Sequence, residues 1–466
     1  MATVILETAA WAEEQFGACA LGDTRRNKRM VKFAMQAASR PDGSTPEQTE
    51  SWGDCKAAYR LFDGDDVSFA EIIAPHCRQT RASCGPGDVK LIVCDTTEID
   101  YGPRRRVTGL GPTGNGSGQG FFLHTGMMLD AADGRIEGMA GQKLFYRRKK
   151  SGTKVAKNTA RRSSQRESVV WGELIDEVGR PPEGVRWLHV CDRGADDFEV
   201  FRRAQEQACG WVIRAARLNR NVLSADGRRL TLDALLREQP AHETKPVEVL
   251  ATATTAARTA TVALRFAPVS VPCPKVLTPW LREHRSDGPL SMWVVELREI
   301  EPPPGATPIR WVLFTSEPVT MVKQAHAIIG HYERRPTIED YHKGLKTGCR
   351  VEDRFYETAA RLERVTGVLS VVAMRLLQLK TAARETPHRP AREVAPARWI
   401  TLLQRAKRKP VNPDITLRDF VRQLAGLGGH LGRKGDGEPG WITLWRGFEK
   451  LTLLIRGADA QLQKCG

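Results

Sequence analysis

Two short apolar runs do most to limit what this chain can fold into. Val89–Cys94 (VKLIVC) and Val185–Cys191 (VRWLHVC) have the length of strands, and each is followed at once by an aspartate, Asp95 and Asp192. Continuous runs of this kind read as strands buried on both faces of a sheet. Between them, Phe121–Leu129 and Ile136–Phe145 are set to pair as a hairpin across AADGR, where Asp133-Gly134 is a strong turn signal. Helices are expected over Gln165–Val178 and Asp196–Ala208, and a further strand over Trp211–Ala215. A single Asp after a strand is usually an ordinary turn residue. Two of them, each preceded by Cys and a β-rich run in matching sheet positions, are harder to dismiss.

The resulting order, β-β-β-α-β-α-β, is that of the ribonuclease H-like fold, so the fold class is α/β. Neighbouring strands lie ~5 Å apart, which would bring the two carboxylates within reach of one or two shared divalent ions. A third acid has a candidate in HYERRPTIEDYHKGLKTG, which begins at His331 and carries Tyr332, Arg335, Glu339 and Lys346. Pro336 fits the first position of a helix and pushes Arg335 out of the helical region. The expected local structure is a short segment bearing Tyr332 and Arg335, a break, and a helix bearing Glu339 and Lys346. Those two are seven residues apart, near two turns, and so share a face with Tyr341, His342 and Lys343 nearby. An acid flanked by Arg, Lys and Tyr suits metal-bound phosphate, the acid taking the cation and the others the phosphate oxygens. The plainer reading is a solvated salt-bridge face.

The flanks differ in character. Residues 1–75 read as helical. Ala20–Ala38 opens with Asp23 as helix cap and carries Arg25, Arg26, Lys28, Arg29 and Lys32, which suits docking on a DNA duplex or, more simply, a solvated face. Arg104, Arg105 and Arg106 precede a Gly-rich loop, Gly109–Gly120. Its Gly-x-Gly-x-x-Gly is no dinucleotide site, because no strand leads into it and no helix follows. Tyr146–Arg162 has eight Lys or Arg and no acid, and is expected to lie along DNA. From about residue 218 to 310 the chain reads as a β-rich insertion, closed by the strand of Trp311, whose composition alone suggests a core aromatic. Leu362–Leu379 should be a large buried helix. After the Pro-rich joint Thr386–Arg398 the chain is again helical, and the apolar stripe in Trp441–Ile455 could face its own core or another subunit. Three domains follow: 1–75 helical, 76–380 α/β with the insertion at about 218–310, and 381–466 helical.

The chain is too long for one ordinary core at 466 residues. Its charge of +16, from 71 Lys+Arg against 55 Asp+Glu, favours a polyanionic partner, nucleic acid first. No apolar run reaches the ~18 residues of a membrane span, and the acidic N-terminus is not a signal peptide. Ten Cys without Cys-x2-Cys pairs give no zinc site and fit a reducing cytosol, with Cys94 and Cys191 as small core residues.

Several stretches together resemble the bacterial insertion-sequence DDE transposases, in the cut-and-paste, hairpin-forming group to which the transposase of transposon Tn-five belongs. They are ALGDTRRNKRMVKFA, VCDTTEIDY at Asp95, CDRGADDFEV at Asp192, WVLFTSEPV at Trp311, the Tyr332/Arg335/Glu339/Lys346 signature and LGGHLGRKGDGEPGWITLWRGFEKL, so the likeness runs nearly end to end. The resemblance implies a catalytic triad of Asp95, Asp192 and Glu339 holding two Mg2+ ions, with Mn2+ able to substitute. It implies successive nicking, hairpin formation, hairpin opening and strand transfer. It gives Tyr332, Arg335 and Lys346 the grip on phosphates and Trp311 the stacking of a flipped base. Arg25, Arg26, Arg29, Arg104 and Arg214 are the further cations expected on DNA. The implied partners are double-stranded DNA, as inverted-repeat ends and target, and a second copy in a synaptic homodimer; the setting is the bacterial cytoplasm and nucleoid. Pro336 is a departure, since many relatives carry Trp there. The alternatives are a ribonuclease H-like nuclease that cuts without joining, and a regulator that occupies DNA ends without cutting.

Overall fold

The computed structural model describes residues 7–103, 106–147, 167–249, 257–284, 288–433 and 435–464. The chain forms two compact units. One comprises Met1–Cys84, Thr96–Lys149 and Thr337–Gly466, and the other Gly85–Asp95 and Lys150–Pro336. Strand β1 (Val89–Asp100) runs from the second into the first.

In the second unit, the first half of β1 pairs in parallel with β5 (Arg186–Cys191), in a register running from Val89↔Arg186 to Cys94↔Cys191. β5 pairs in parallel with β6 (Gly210–Arg214). These strands are apolar on both faces; Leu91, Ile92, Val93, Leu188 and Val190 are all essentially inaccessible. The β-rich stretch supplies β7 (Asn221–Leu223), β8 (Arg229–Thr231), β9 (Glu243–Val249), β10 (Arg258–Val271) and β11 (Leu290–Glu299). β12 (Arg310–Thr315) then lies antiparallel to both β11 and β6. Charges buried in this layer are paired. The Arg310 guanidinium reaches Glu296 at 2.7 Å and Asp233 at 2.6 Å, tying β11 and β12 to the helix Leu232–Glu238.

In the first unit, β2 (Gly111–Thr113) and β4 (Ile136–Phe145) pair with β3 (Gly118–Asp130), which lies beside the second half of β1. The Gly-rich loop is thus a small hairpin. Gly120 passes so close to β1 that an added Cβ would stand 1.8 Å from the Ile99 carbonyl oxygen. The helix Ala359–Glu385 is the unit's spine, and the helices Thr24–Ser39, Trp52–Asp63 and Phe69–Ala82 pack against it. Among the described residues it is the one helix long and apolar enough to cross a membrane, and 83% of that window is buried in protein. Asp23 caps Thr24–Ser39 as expected, accepting the Arg25 N–H at 2.8 Å. At the C-terminal end, the helices Leu417–Leu427 and Trp441–Lys464 touch backbone to backbone. A Cβ on Gly447 would lie 1.9 Å from the Leu424 carbonyl oxygen. The stripe Trp441, Leu444, Trp445, Phe448 and Leu451 faces the protein's own core.

Several local expectations are corrected. β1 does not end before Asp95 but runs on to Asp100, where its second half lies beside β3. Tyr332 belongs to a full helix, Val322–Glu333, whose buried residues Ala325, Ile328, Ile329 and Tyr332 keep helical spacing. Pro336 stands one residue before the next helix, Thr337–Lys343. That helix continues into a wider π turn, Gly344–Gly348, so Lys346 departs from a simple two-turn register with Glu339. Tyr341 and His342 point inward; the Tyr341 hydroxyl takes a hydrogen bond from the Gln142 amide at 3.1 Å. The basic run Arg148–Arg162 and residues Arg104 and Arg105 lie outside the described residues.

His76 pins the helix Phe69–Ala82 to β4. Its Nε2 accepts the Met139 N–H at 3.0 Å, and its Nδ1 meets Gln15 Oε1 at 2.5 Å, which fixes the neutral tautomer. Burial pushes its pKa down from 6.5 to about 4. A folded pKa below the unfolded one means the contribution to stability is complete above 6.5 and is lost as pH falls towards 4. The midpoint of thermal unfolding should therefore fall across that interval, and His76→Gln should flatten the fall. An unchanged slope in the variant would assign the effect elsewhere.

Candidate active site

The register of β1 and β5 places the two aspartates. Cys94 and Cys191 are partners, and Asp95 and Asp192 follow them where the parallel pairing ends, Asp95 within β1 and Asp192 just beyond β5. Equivalent residues on such neighbours sit ~4.8 Å apart. Asp192 is fixed by its own turn, its Oδ1 accepting the Gly194 N–H at 2.7 Å, which leaves Oδ2 directed elsewhere. Arg335 Nη2 lies 2.9 Å from Asp95 Oδ2 and 3.8 Å from Asp192 Oδ2. Its side chain and that of Asp95 are each 17% exposed, and that of Asp192 36%.

Arg335 is held in place by the end of a helix. Its N–H bonds the Tyr332 carbonyl at 3.0 Å in the turn that leads to Pro336. Tyr332 is itself buried. Trp311 meets its ring edge-on, with centroids 5.2 Å apart and planes at 73°. Burial raises the Tyr332 pKa, and Arg214, hydrogen-bonded to it, pulls the other way. Arg214 ends β6 and donates to the Arg310 carbonyl at 3.1 Å. Trp311 lies on β12 opposite Leu297 and is half-buried, so it is neither a full core residue nor a free surface one. One unit therefore gathers Asp95, Asp192, Arg335, Tyr332, Trp311 and Arg214.

Glu339 and Lys346 belong to the other unit. Glu339 is exposed in the first turn of Thr337–Lys343, where an acid suits the helix dipole. Lys346 Nζ lies 3.1 Å from Glu352 Oε1, which also accepts the Asp100 N–H at 3.1 Å. Among the described residues, no group of three His, Cys, Asp or Glu is gathered as a metal-binding set. Sequence reasoning passed over His189, which is fully buried with Nδ1 3.8 Å from Cys94 Sγ. Its place two residues before Cys191, on the same strand face, was the available signal.

At the N-terminal end, Arg25, Lys28, Arg29 and Lys32 line an open cleft of about 490 Å3 with Gln36 and Asp54. Arg26 turns away to Asp66 at 2.5 Å and the Leu21 carbonyl at 3.1 Å.

Arg335→Ala should leave Asp95 and Asp192 facing each other without their cation. We expect a stability loss of about 1–3 kcal/mol, read by thermal or denaturant unfolding, and partial recovery in Arg335→Ala/Asp95→Asn. Equal losses in the single and double variants would show that the pairing carries no weight.

Comparison with known families gives two matches. Residues 8–67 match the family model for transposase DNA-binding, and residues 371–463 match that for the transposase Tn5 dimerisation domain. The first contains the basic cleft, and the second the helices joined at Gly447. The protein thus carries the means to bind DNA and to form a homodimer. Both ends of the chain are similar to the corresponding domains of Tn5-like transposases.

Proposed function

We propose that this transposase performs cut-and-paste transposition of an insertion sequence, with Asp95, Asp192 and Glu339 as its catalytic acids. The observation that carries the reading is the placing of Asp95 and Asp192 just past the last paired residues of β1 and β5, with Arg335 meeting both. The strand succession supports a ribonuclease H-like core: β3 beside β1 with β4 as its hairpin partner, then β5 and β6 parallel to β1.

The donor set fits a divalent cation. Carboxylate oxygens are the hard ligands Mg2+ takes, with Mn2+ as a substitute, and a positive group already stands at these two. Asp95, Asp192 and Glu339, four residues beyond Arg335, would hold two such ions. The chemistry these supply when bound is activation of the attacking oxygen and stabilisation of the leaving one.

The chain's own residues do the rest. Arg335, Tyr332 and Lys346 hold phosphate oxygens beside the cut. Trp311, backed edge-on by Tyr332, offers a face for a flipped base, which relieves a tight hairpin. Water nicks the transposon end and leaves a 3′-OH. That hydroxyl attacks the opposite strand and forms a hairpin, water reopens it, and the 3′-OH then attacks target DNA. Arg25 and Arg29, in the N-terminal cleft, hold the double-stranded end. The setting is the bacterial cytoplasm and nucleoid.

Incubation with transposon-end duplex and Mg2+ or Mn2+ tests this. We expect nicked, hairpin and joined products. Asp95→Asn, Asp192→Asn and Glu339→Gln should each lower cleavage by about a thousandfold or more while leaving end binding intact. Trp311→Ala should retain nicking and lose hairpin. Cleavage without hairpin or joined product would mark a plain nuclease, and an acid variant as active as wild type would remove that residue from the mechanism.

A further inference from the structure

The C-terminal domain holds a second basic cleft that dimerisation does not explain. Its open volume is about 540 Å3, and its lining includes Lys407, Lys409, Arg422, His430 and Arg433 against a single acid, Asp419. The fold builds this crowding. Helix Ala397–Ala406 is closed by Arg408 in the left-handed region, at φ 52°, with the Lys409 N–H returning to the Gln404 carbonyl at 2.9 Å. That reversal turns two lysines into the cleft. Lys407 reaches the helix Leu417–Leu427 at Gly426, where a Cβ would stand 3.0 Å from its Nζ. The opposite wall is a glycine-rich loop with Gly429, Gly432 and Gly437 at positive φ, conformations that side chains disfavour.

The charge in the cleft is poorly neutralised. Asp419 is committed to its helix start, taking the Thr416 hydroxyl at 2.8 Å. Glu438 serves Arg422 at 3.0 Å and Arg418 at 2.5 Å together. Lys407, Lys409 and Arg433 have no acidic partner among the described residues. Cations held together without counter-charge repel one another, and a polyanion relieves that cost. Glycines in the wall let backbone N–H groups approach phosphate oxygens closely.

We propose that this cleft is a DNA phosphate-backbone site, independent of base sequence and separate from the N-terminal end-binding cleft. The inference rests on the chain being a DNA-binding transposase. Full-length Lys407→Ala/Lys409→Ala would be compared with wild type by fluorescence anisotropy on duplex lacking any transposon end, across a salt series. A Lys275→Ala/Arg229→Ala protein, with the same charge removed elsewhere, is the control. We expect roughly tenfold weaker binding, a log–log salt slope reduced by about 1.8 (two phosphates at 0.9 each), and recovery in Lys407→Arg/Lys409→Arg. Sedimentation should show self-association unchanged. An unchanged slope would overturn the proposal, and so would a loss of self-association, which would make the cleft a subunit contact. Competition by submillimolar dAMP would make it a mononucleotide pocket and overturn it equally. If wild type itself fails to bind duplex, the transposase reading fails; if wild type and variant bind alike, only this inference does.

Discussion

A cation between two carboxylates is the interaction on which the rest of this protein turns. The parallel register of β1 and β5 sets Asp95 and Asp192 side by side just past their last paired residues. Two negative charges ~5 Å apart repel by about 3 kcal/mol at an effective dielectric of 20, a large share of a domain's net stability. Arg335 meets both and offsets that repulsion. The proposed chemistry would use the same carboxylates for divalent cations and the same guanidinium for phosphate, so what stabilises the fold and what would serve that chemistry are one feature.

The β-rich stretch between the second aspartate and the helix of Glu339 has a physical use. It covers the free edge of β6 with β12 and brings Trp311 to Tyr332. Buried Glu296, with Asp233, holds Arg310, whose carbonyl takes the Arg214 guanidinium. Arg214 in turn engages Tyr332, and the Tyr332 carbonyl holds the Arg335 backbone. A chain of specific contacts therefore runs from the inserted strands to the cation between the aspartates.

Much of this was legible in the residues. The apolar run ending before Asp192, the Asp133-Gly134 turn and the Asp23 cap each depend on short-range chemistry, and the structure has all of them; the run before Asp95 is a strand too, but it continues to Asp100 beside β3. The helix carrying Tyr332 was legible in principle from Ala325, Ile328, Ile329 and Tyr332, but Pro336 drew the reading towards a break too soon. The inward turn of Tyr341 and His342 was not legible, because it depends on Gln142 and other residues remote in sequence. Nor was the direction of the C-terminal aromatic stripe. A period of 3.6 shows which face is apolar and not what covers it; here the cover includes Gly344, whose missing Cβ admits the Trp441 ring. Arg26 likewise read as one cation in a basic row, while its partner Asp66 lies forty residues away.

The central claim is that Asp95, Asp192 and Glu339 work as one cation-binding set on DNA. Replacing Mg2+ with Fe2+ and adding peroxide and ascorbate generates hydroxyl radicals at the bound ion, and mass spectrometry then maps where the polypeptide breaks. The account expects breaks beside all three residues, suppressed by excess Mg2+ and absent from Asp192→Asn. Breaks confined to other segments, or unaffected by that substitution, would contradict it.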